Sequence, residues 1–275
     1  MKTKLNLLIL FLLAMKGYSQ AFFVPGNRGY LNLGIYSKKI FSPFSCNSNP
    51  AAWSQIENFS IGFAGEKNYL LDQLGTYNVY GSLHTNQLSI AISGNYLGFH
   101  NYNQTAFGLA FAKMLFRKLR IGLKVNQNGI HVPAYGNASA VNFELGFLAD
   151  LNQTLRISWY AYNPLETHWQ GGSGELIHAV YRMGLGYSVS NNLVAAFEFQ
   201  KESFKALLVR TGINFRYSQK LTLGIAAELE PVSLSFGIGF QLGNLMLEVA
   251  VIYNQPLGYS PEILLSYLHP KNQNP

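Results

Sequence analysis

Strict two-residue alternation recurs along most of the chain after residue 58, and no other feature narrows the possible folds as sharply. In residues 119–126, LRIGLKVN, the aliphatics Leu119, Ile121, Leu123 and Val125 alternate with Arg120, Gly122, Lys124 and Asn126. The same order returns in LSIAISGNY (88–96) and then in VNFELGF, LRISWYAY, YRMGLGYSV, VRTGINFRY, LTLGIAAEL, VSLSFGIGF and LEVAV. A period of two puts alternate side chains on opposite faces of a strand. One face is bulky and apolar throughout, while the other is small or charged. Arg120, Lys124, Glu144, Arg156, Arg182, Glu198, Arg210, Arg216, Glu228, Glu230 and Glu248 all fall on that second face.

The connections alternate as well. Tight polar turns stand at HTNQ (84–87), FRK (116–118), LNQT (151–154), SNN (190–192), SQK (218–220) and LGN (242–244). Between them lie the connections EKNYLLDQLG (66–75), GFHNYNQ, NQNGIHVPAYGNAS, NPLETHWQGGSGEL, KESFK, LEPV and NQPLGYSP, most of them longer. Pro133, Pro164, Pro231, Pro256 and Pro261 fall in or beside these, where a strand is expected to stop. Short turns at one end and longer connections at the other describe an up-and-down membrane barrel with its short turns in the periplasm. Counting both kinds predicts about fourteen strands, an even number as bacterial barrels require.

Lipid explains the two faces. Charged residues make up only 12% of the chain, whereas a water-facing surface carries roughly 25–35%. A charge on the lipid face at mid-depth would cost roughly 2–4 kcal/mol, so Arg120 and Lys124 are predicted to face the lumen and Leu123 and Val125 the lipid. Tyr187, Trp159, Tyr217, Tyr253 and Tyr267 are candidates for interfacial girdles. The fold class is therefore all-β: a transmembrane antiparallel β-barrel of about fourteen strands over residues 58–269, in the outer membrane of a Gram-negative bacterium.

The ends are different in kind. Lys2 and Lys4 precede the run LNLLILFLLAM, and Gly17 and Ser19 suit cleavage before Gln20, so residues 1–19 read as a secretory signal peptide. Cleavage removes three lysines and no acids, lowering the formal charge from +7 to +4, which is no nucleic-acid footprint. Residues 20–57 follow neither period and form a segment of the size that plugs a barrel; 270–275 is a periplasmic tail. Cys46 has no partner for an intramolecular disulfide and reads as a small buried residue.

Catalytic and metal chemistry find little support. GGSG (171–174) has Glu175 where a nucleophile elbow needs its second glycine. Glu175 and His178, three apart on a strand, would face opposite ways. His84, His100, His131 and His168 fall singly in turns or connections, so neither a metal site nor a cofactor is expected.

The strand count, the plug-sized N-terminal segment and SNPAAW (48–53) before the first strand resemble the FadL-like outer-membrane proteins, including the PorV and PorQ branch associated with type IX secretion. In that family an Asn-Pro-Ala stretch lies in the N-terminal hatch, which implies that role for Asn49, Pro50 and Ala51. FadL-like transporters are typically much longer, with large outer loops that capture fatty acids and similar hydrophobes; the outer connections here are short. The resemblance implies a non-enzymatic structural or adaptor subunit of an outer-membrane export or assembly complex, with other envelope proteins as partners. The alternative is a passive channel for hydrophobic small molecules, gated near residues 49–53.

Overall fold

The computed structural model describes residues 29, 33–38, 40–85, 87–133, 136–171, 174–229 and 232–269. The expected signal peptide, residues 20–28, Glu230 and the tail 270–275 lie outside the described residues. Fourteen strands run up and down. The first seven are β1 (Phe59–Lys67), β2 (Gly75–His84), β3 (Ser89–Phe99), β4 (Tyr102–Leu115), β5 (Leu119–Val132), β6 (Gly136–Asp150) and β7 (Leu155–Tyr162). The rest are β8 (Val180–Ser188), β9 (Leu193–Glu202), β10 (Leu208–Arg216), β11 (Leu221–Leu229), β12 (Ser233–Leu242), β13 (Leu245–Asn254) and β14 (Gly258–Leu268). Each pairs antiparallel with its chain neighbours, and β14 returns to β1, closing the barrel. Closure leaves no free sheet edge, which a lipid-facing sheet requires.

The alternation sorts side chains between exterior and lumen. On β5, Leu123 and Val125 are 41% and 42% exposed, whereas Lys124 between them is 2% exposed. Ile92, Phe107, Met183, Ile213, Ile225 and Ile263 continue the apolar exterior around the barrel. Among the proposed girdle residues, Tyr187, Tyr217 and Tyr253 are exposed; Trp159 instead lies mid-strand on β7, its ring 5.4 Å from that of Phe147.

Two expectations about the connections need correction. Much of 126–139 is strand: pairing of β5 with β6 runs from Leu119↔Ala149 to Val132↔Gly136 and leaves a connection of only residues 133–135. Its asparagines and glycines resemble a loop because this part of the sheet has no apolar exterior stripe. His131 accordingly lies within β5, one residue from its end, and His84 ends β2. Pro261 lies within β14, opposite Val251 on β13. The ladder to β1 ends at Glu66↔Glu262, so the missing N–H of Pro261 interrupts no pairing on that edge.

The 163–179 connection folds back on the wall. Asn163, in the left-handed region at φ 47°, donates Nδ2–H to the Ile177 carbonyl and accepts from the Thr167 hydroxyl at 3.1 Å. Trp169 and Ile177 thereby pack with Tyr160, Tyr162 and Val180 in a small outer core.

Residues 33–56 run through the interior in three short 3-10 turns, Leu33–Tyr36, Pro43–Ser48 and Pro50–Gln55. The first touches β7–β10, the second β1 and β14, and the third β3–β6, so the segment is encircled by the wall. Leu33, Ile35, Phe44, Cys46 and Trp53 form the apolar core there with Tyr80 and Leu264 of the wall.

Candidate functional site

A closed barrel encloses a lumen, so the candidate site is built from what fills it. Asn49 shows how the filling is fixed. Its Oδ1 accepts from the Ala51 N–H at 2.9 Å, starting the third turn, while its Nδ2 donates to Ser158 Oγ at 2.9 Å and the Trp159 carbonyl at 3.1 Å on β7. Pro50 follows at the first turn position, where its missing N–H costs nothing. Ala51 presses on Gly122 so closely that a Cβ at position 122 would stand 2.3 Å from the Ala51 nitrogen.

Gly122 is one of several wall glycines used in this way. A Cβ at 146 would meet Asn49 Oδ1 at 2.0 Å, one at 184 the Tyr36 hydroxyl at 2.2 Å, and one at 212 Leu33 at 2.6 Å. These glycines stand on the small face of their strands because the N-terminal segment takes the room a side chain would need.

Most of the charges expected in the lumen fall into three groups. At the short-turn end Arg156 donates from Nη1 to the carbonyls of Ile35 (2.8 Å) and Ser37 (3.2 Å) and to Gln55 Oε1 (2.6 Å). Its Nε binds Asp150 at 2.7 Å, and Asp150 also takes Arg120 at 2.7 Å and Lys38 at 3.2 Å. Further round the wall, on β9–β11, the Tyr36 hydroxyl donates to Glu198 (2.9 Å), Glu198 pairs with Arg210 (2.5 Å), and Arg210 pairs with Glu228 (2.6 Å). Further from the short turns Glu144 gathers Lys124 (3.2 Å), Asn126 (2.8 Å) and the Tyr160 hydroxyl (3.1 Å), and Arg182 lies 4.0 Å over the Tyr160 ring. Glu248 accepts from Ser42 at 2.5 Å, and Arg216 borders a small cavity of about 70 Å³ between Ile40–Ser42 and β10–β13.

Buried ion pairs of this kind add little net stability, because desolvation offsets most of the attraction, yet removing one partner is costly. They therefore fix position. The reading of alternate faces had missed Asp150, although it shares parity with Glu144 and closes the same strand. It had also missed Tyr36, Tyr160 and Tyr162, whose hydroxyls give no pattern of their own. Among the described residues no three His, Cys, Asp or Glu side chains come together as metal ligands.

The fold and its filling define a class: a closed fourteen-stranded β-barrel whose lumen holds its own N-terminal segment. Solved structures similar in fold include the toluene transporter TbuX of Ralstonia pickettii, with a TM-score of 0.63 at 11% identity over 90% of this chain and 99% of that one. The toluene transporter TodX of Pseudomonas putida superposes with a TM-score of 0.63 at 9% identity, over 91% of this chain and 100% of that one. A Pseudomonas aeruginosa FadL homologue gives 0.55 at 10% identity over 87% and 98%. At these identities the likeness is one of fold. No sequence-family profile matches the chain, and no curated protein is similar to it in sequence.

Proposed function

We propose that this protein is an outer-membrane channel for small hydrophobic molecules, closed at rest by residues 33–56. The observation that carries the reading is how that segment is held. It contributes no strand to the sheet, and every hydrogen bond described between it and the wall involves a side chain, so it can shift while the barrel stays intact. The toluene transporters of the same fold support a hydrophobic cargo. Asn49, Pro50 and Ala51 then form the hinge of the closure, and the paired lumen charges its anchors. The interior carries both signs close together, which suits neutral cargo better than ions.

The test is uptake of labelled toluene by proteoliposomes. The full chain should exceed empty vesicles, and deletion of residues 21–53 should raise uptake further. Unchanged uptake in the deletion variant, with the barrel still closed by circular dichroism and gel mobility, would defeat the reading.

A second reading, a structural subunit of an export or assembly complex, draws on the filled lumen and on short outer connections such as 100–101 and 133–135. Affinity purification from native membranes in mild detergent separates the two: stoichiometric envelope proteins favour the subunit, a lone barrel the channel.

A further inference from the structure

The end of the β4–β5 hairpin carries a combination found nowhere else on this rim among the described residues. Phe116 and Arg117 form the turn with φ of 52° and 60°, both left-handed, where Asn-Gly is the usual and unstrained choice. On the short-turn rim no other non-glycine among the described residues takes positive φ. Phe116 is 90% exposed and makes no ring contact among the described residues. Phe204 on the opposite rim is nearly as exposed, but it packs edge-on against His178 at 5.4 Å. A strained turn that displays an unpartnered aromatic points to something outside the chain.

The surrounding charges say what. Lys113, Arg117 and Lys118 are exposed, and none has an acidic partner among the described residues. Pairing of β4 with β3 stops at Ser89↔Ala112, so residues 113–118 project past the neighbouring strand. Lys113 follows Phe107, Leu109 and Phe111 on the exterior face of β4, which puts its ammonium at the edge of the apolar band. A lysine there extends toward headgroups, an aromatic beside it enters the interface, and three free cations within six residues attract phosphate.

We propose that Lys113, Phe116, Arg117 and Lys118 form a binding site for an anionic phospholipid of the leaflet at the short-turn side of the membrane. This does not depend on what passes the lumen. The full chain would be placed in nanodiscs of phosphatidylcholine with a minor fraction of phosphatidylglycerol, extracted into mild detergent, and the retained lipid counted by native mass spectrometry. Retention of phosphatidylglycerol over phosphatidylcholine is expected. It should fall by roughly fivefold for each charge removed in Lys113→Gln, Arg117→Gln and Lys118→Gln.

Phe116→Asn with Arg117→Gly should raise the thermal midpoint in lipid-free detergent by relieving the turn, yet lower lipid retention. Lys201→Gln with Lys205→Gln on the opposite rim serves as control and should change nothing. Equal retention by the hairpin variants, equal loss in the control, or binding of soluble polyglutamate with no phospholipid preference would each overturn the proposal.

Discussion

Arg156→Met tests whether the interior segment is held mainly by side chains. The guanidinium is 2% exposed, and its Nη1 serves Ile35 O, Ser37 O and Gln55 Oε1. Methionine keeps most of the stem volume and removes all donors. Asp150 is not orphaned, because Arg120 and Lys38 remain within 2.7 and 3.2 Å. Two Nη1 protons serve three acceptors, so the loss amounts to about two bonds to a charged donor, each worth roughly 1.5–3 kcal/mol. Taking the lower bound, the attached state weakens by about 3 kcal/mol, and the detached population rises roughly a hundredfold. Hydrogen exchange read by mass spectrometry should show amides of 33–56 exchanging faster by that factor, with the strand ladders unchanged. A change below about threefold would refute the anchoring argument. Faster exchange in β6 and β7 as well would mean that Arg156 holds the wall rather than the segment.

Three further outcomes follow from the same geometry. Gly146→Val places side-chain atoms where Asn49 Oδ1 and Pro50 now sit; the barrel should form with normal gel mobility while limited proteolysis cuts within 33–56 far sooner than in the parent. Asn49→Ala removes the bonds to Ala51 and Ser158 and should loosen the same segment by about 1–3 kcal/mol in hydrogen exchange, with Asn49→Asp recovering only the turn. The Ser203 hydroxyl and the Ala179 N–H hold Glu166 below the ordinary carboxylate range. Its tie between the 163–179 and 203–207 connections is therefore complete above the ordinary glutamate range and lost as pH falls through the lowered value. Exchange in 163–179 should follow that course and lose it in Glu166→Gln; loosening already between pH 7 and 5.5 would refute the assignment.

The barrel was legible in the sequence because its physics is local. A strand between lipid and lumen must alternate, and a short polar turn must follow wherever the chain reverses with no room to spare; residues 119–126 and the six turns carry that information by themselves. The boundary at 126–139 misled because asparagine and glycine there continue a ladder that stands outside an apolar environment, where the alternation has no reason to persist. Pro261 misled because the prohibition on proline holds only where a strand is paired on the side its N–H would serve, and the ladder between β14 and β1 has already ended there. The lumen was half legible. Parity alone brought out Arg156, Glu198 and Arg210, but not that Arg156 grips Ile35 and Ser37 more than 110 residues away. Nor could parity give the meaning of Gly122, Gly146, Gly184 and Gly212, which is set by a segment with no periodicity at all.

On the channel reading proposed above, how far the interior segment would move to pass cargo can be bounded by magnitude. A ligand of one aromatic ring buries about 150–200 Å² of apolar surface, worth roughly 4–5 kcal/mol at 25 cal/mol per Å². A ligand shifts a conformational equilibrium by no more than its differential affinity for the two states. The Arg156 cluster alone holds the segment by a comparable amount, and Asn49, Tyr36 with Glu198, and Ser42 with Glu248 hold it independently at other points of the wall. A single small hydrophobe is therefore too weak to expel residues 33–56 as a body. It is strong enough to exchange one set of contacts for itself. Opening by such a ligand would then be a local yielding of one flank of the segment, and the small cavity between Ile40–Ser42 and β10–β13, bordered by Arg216 and Met246, lies against one such flank.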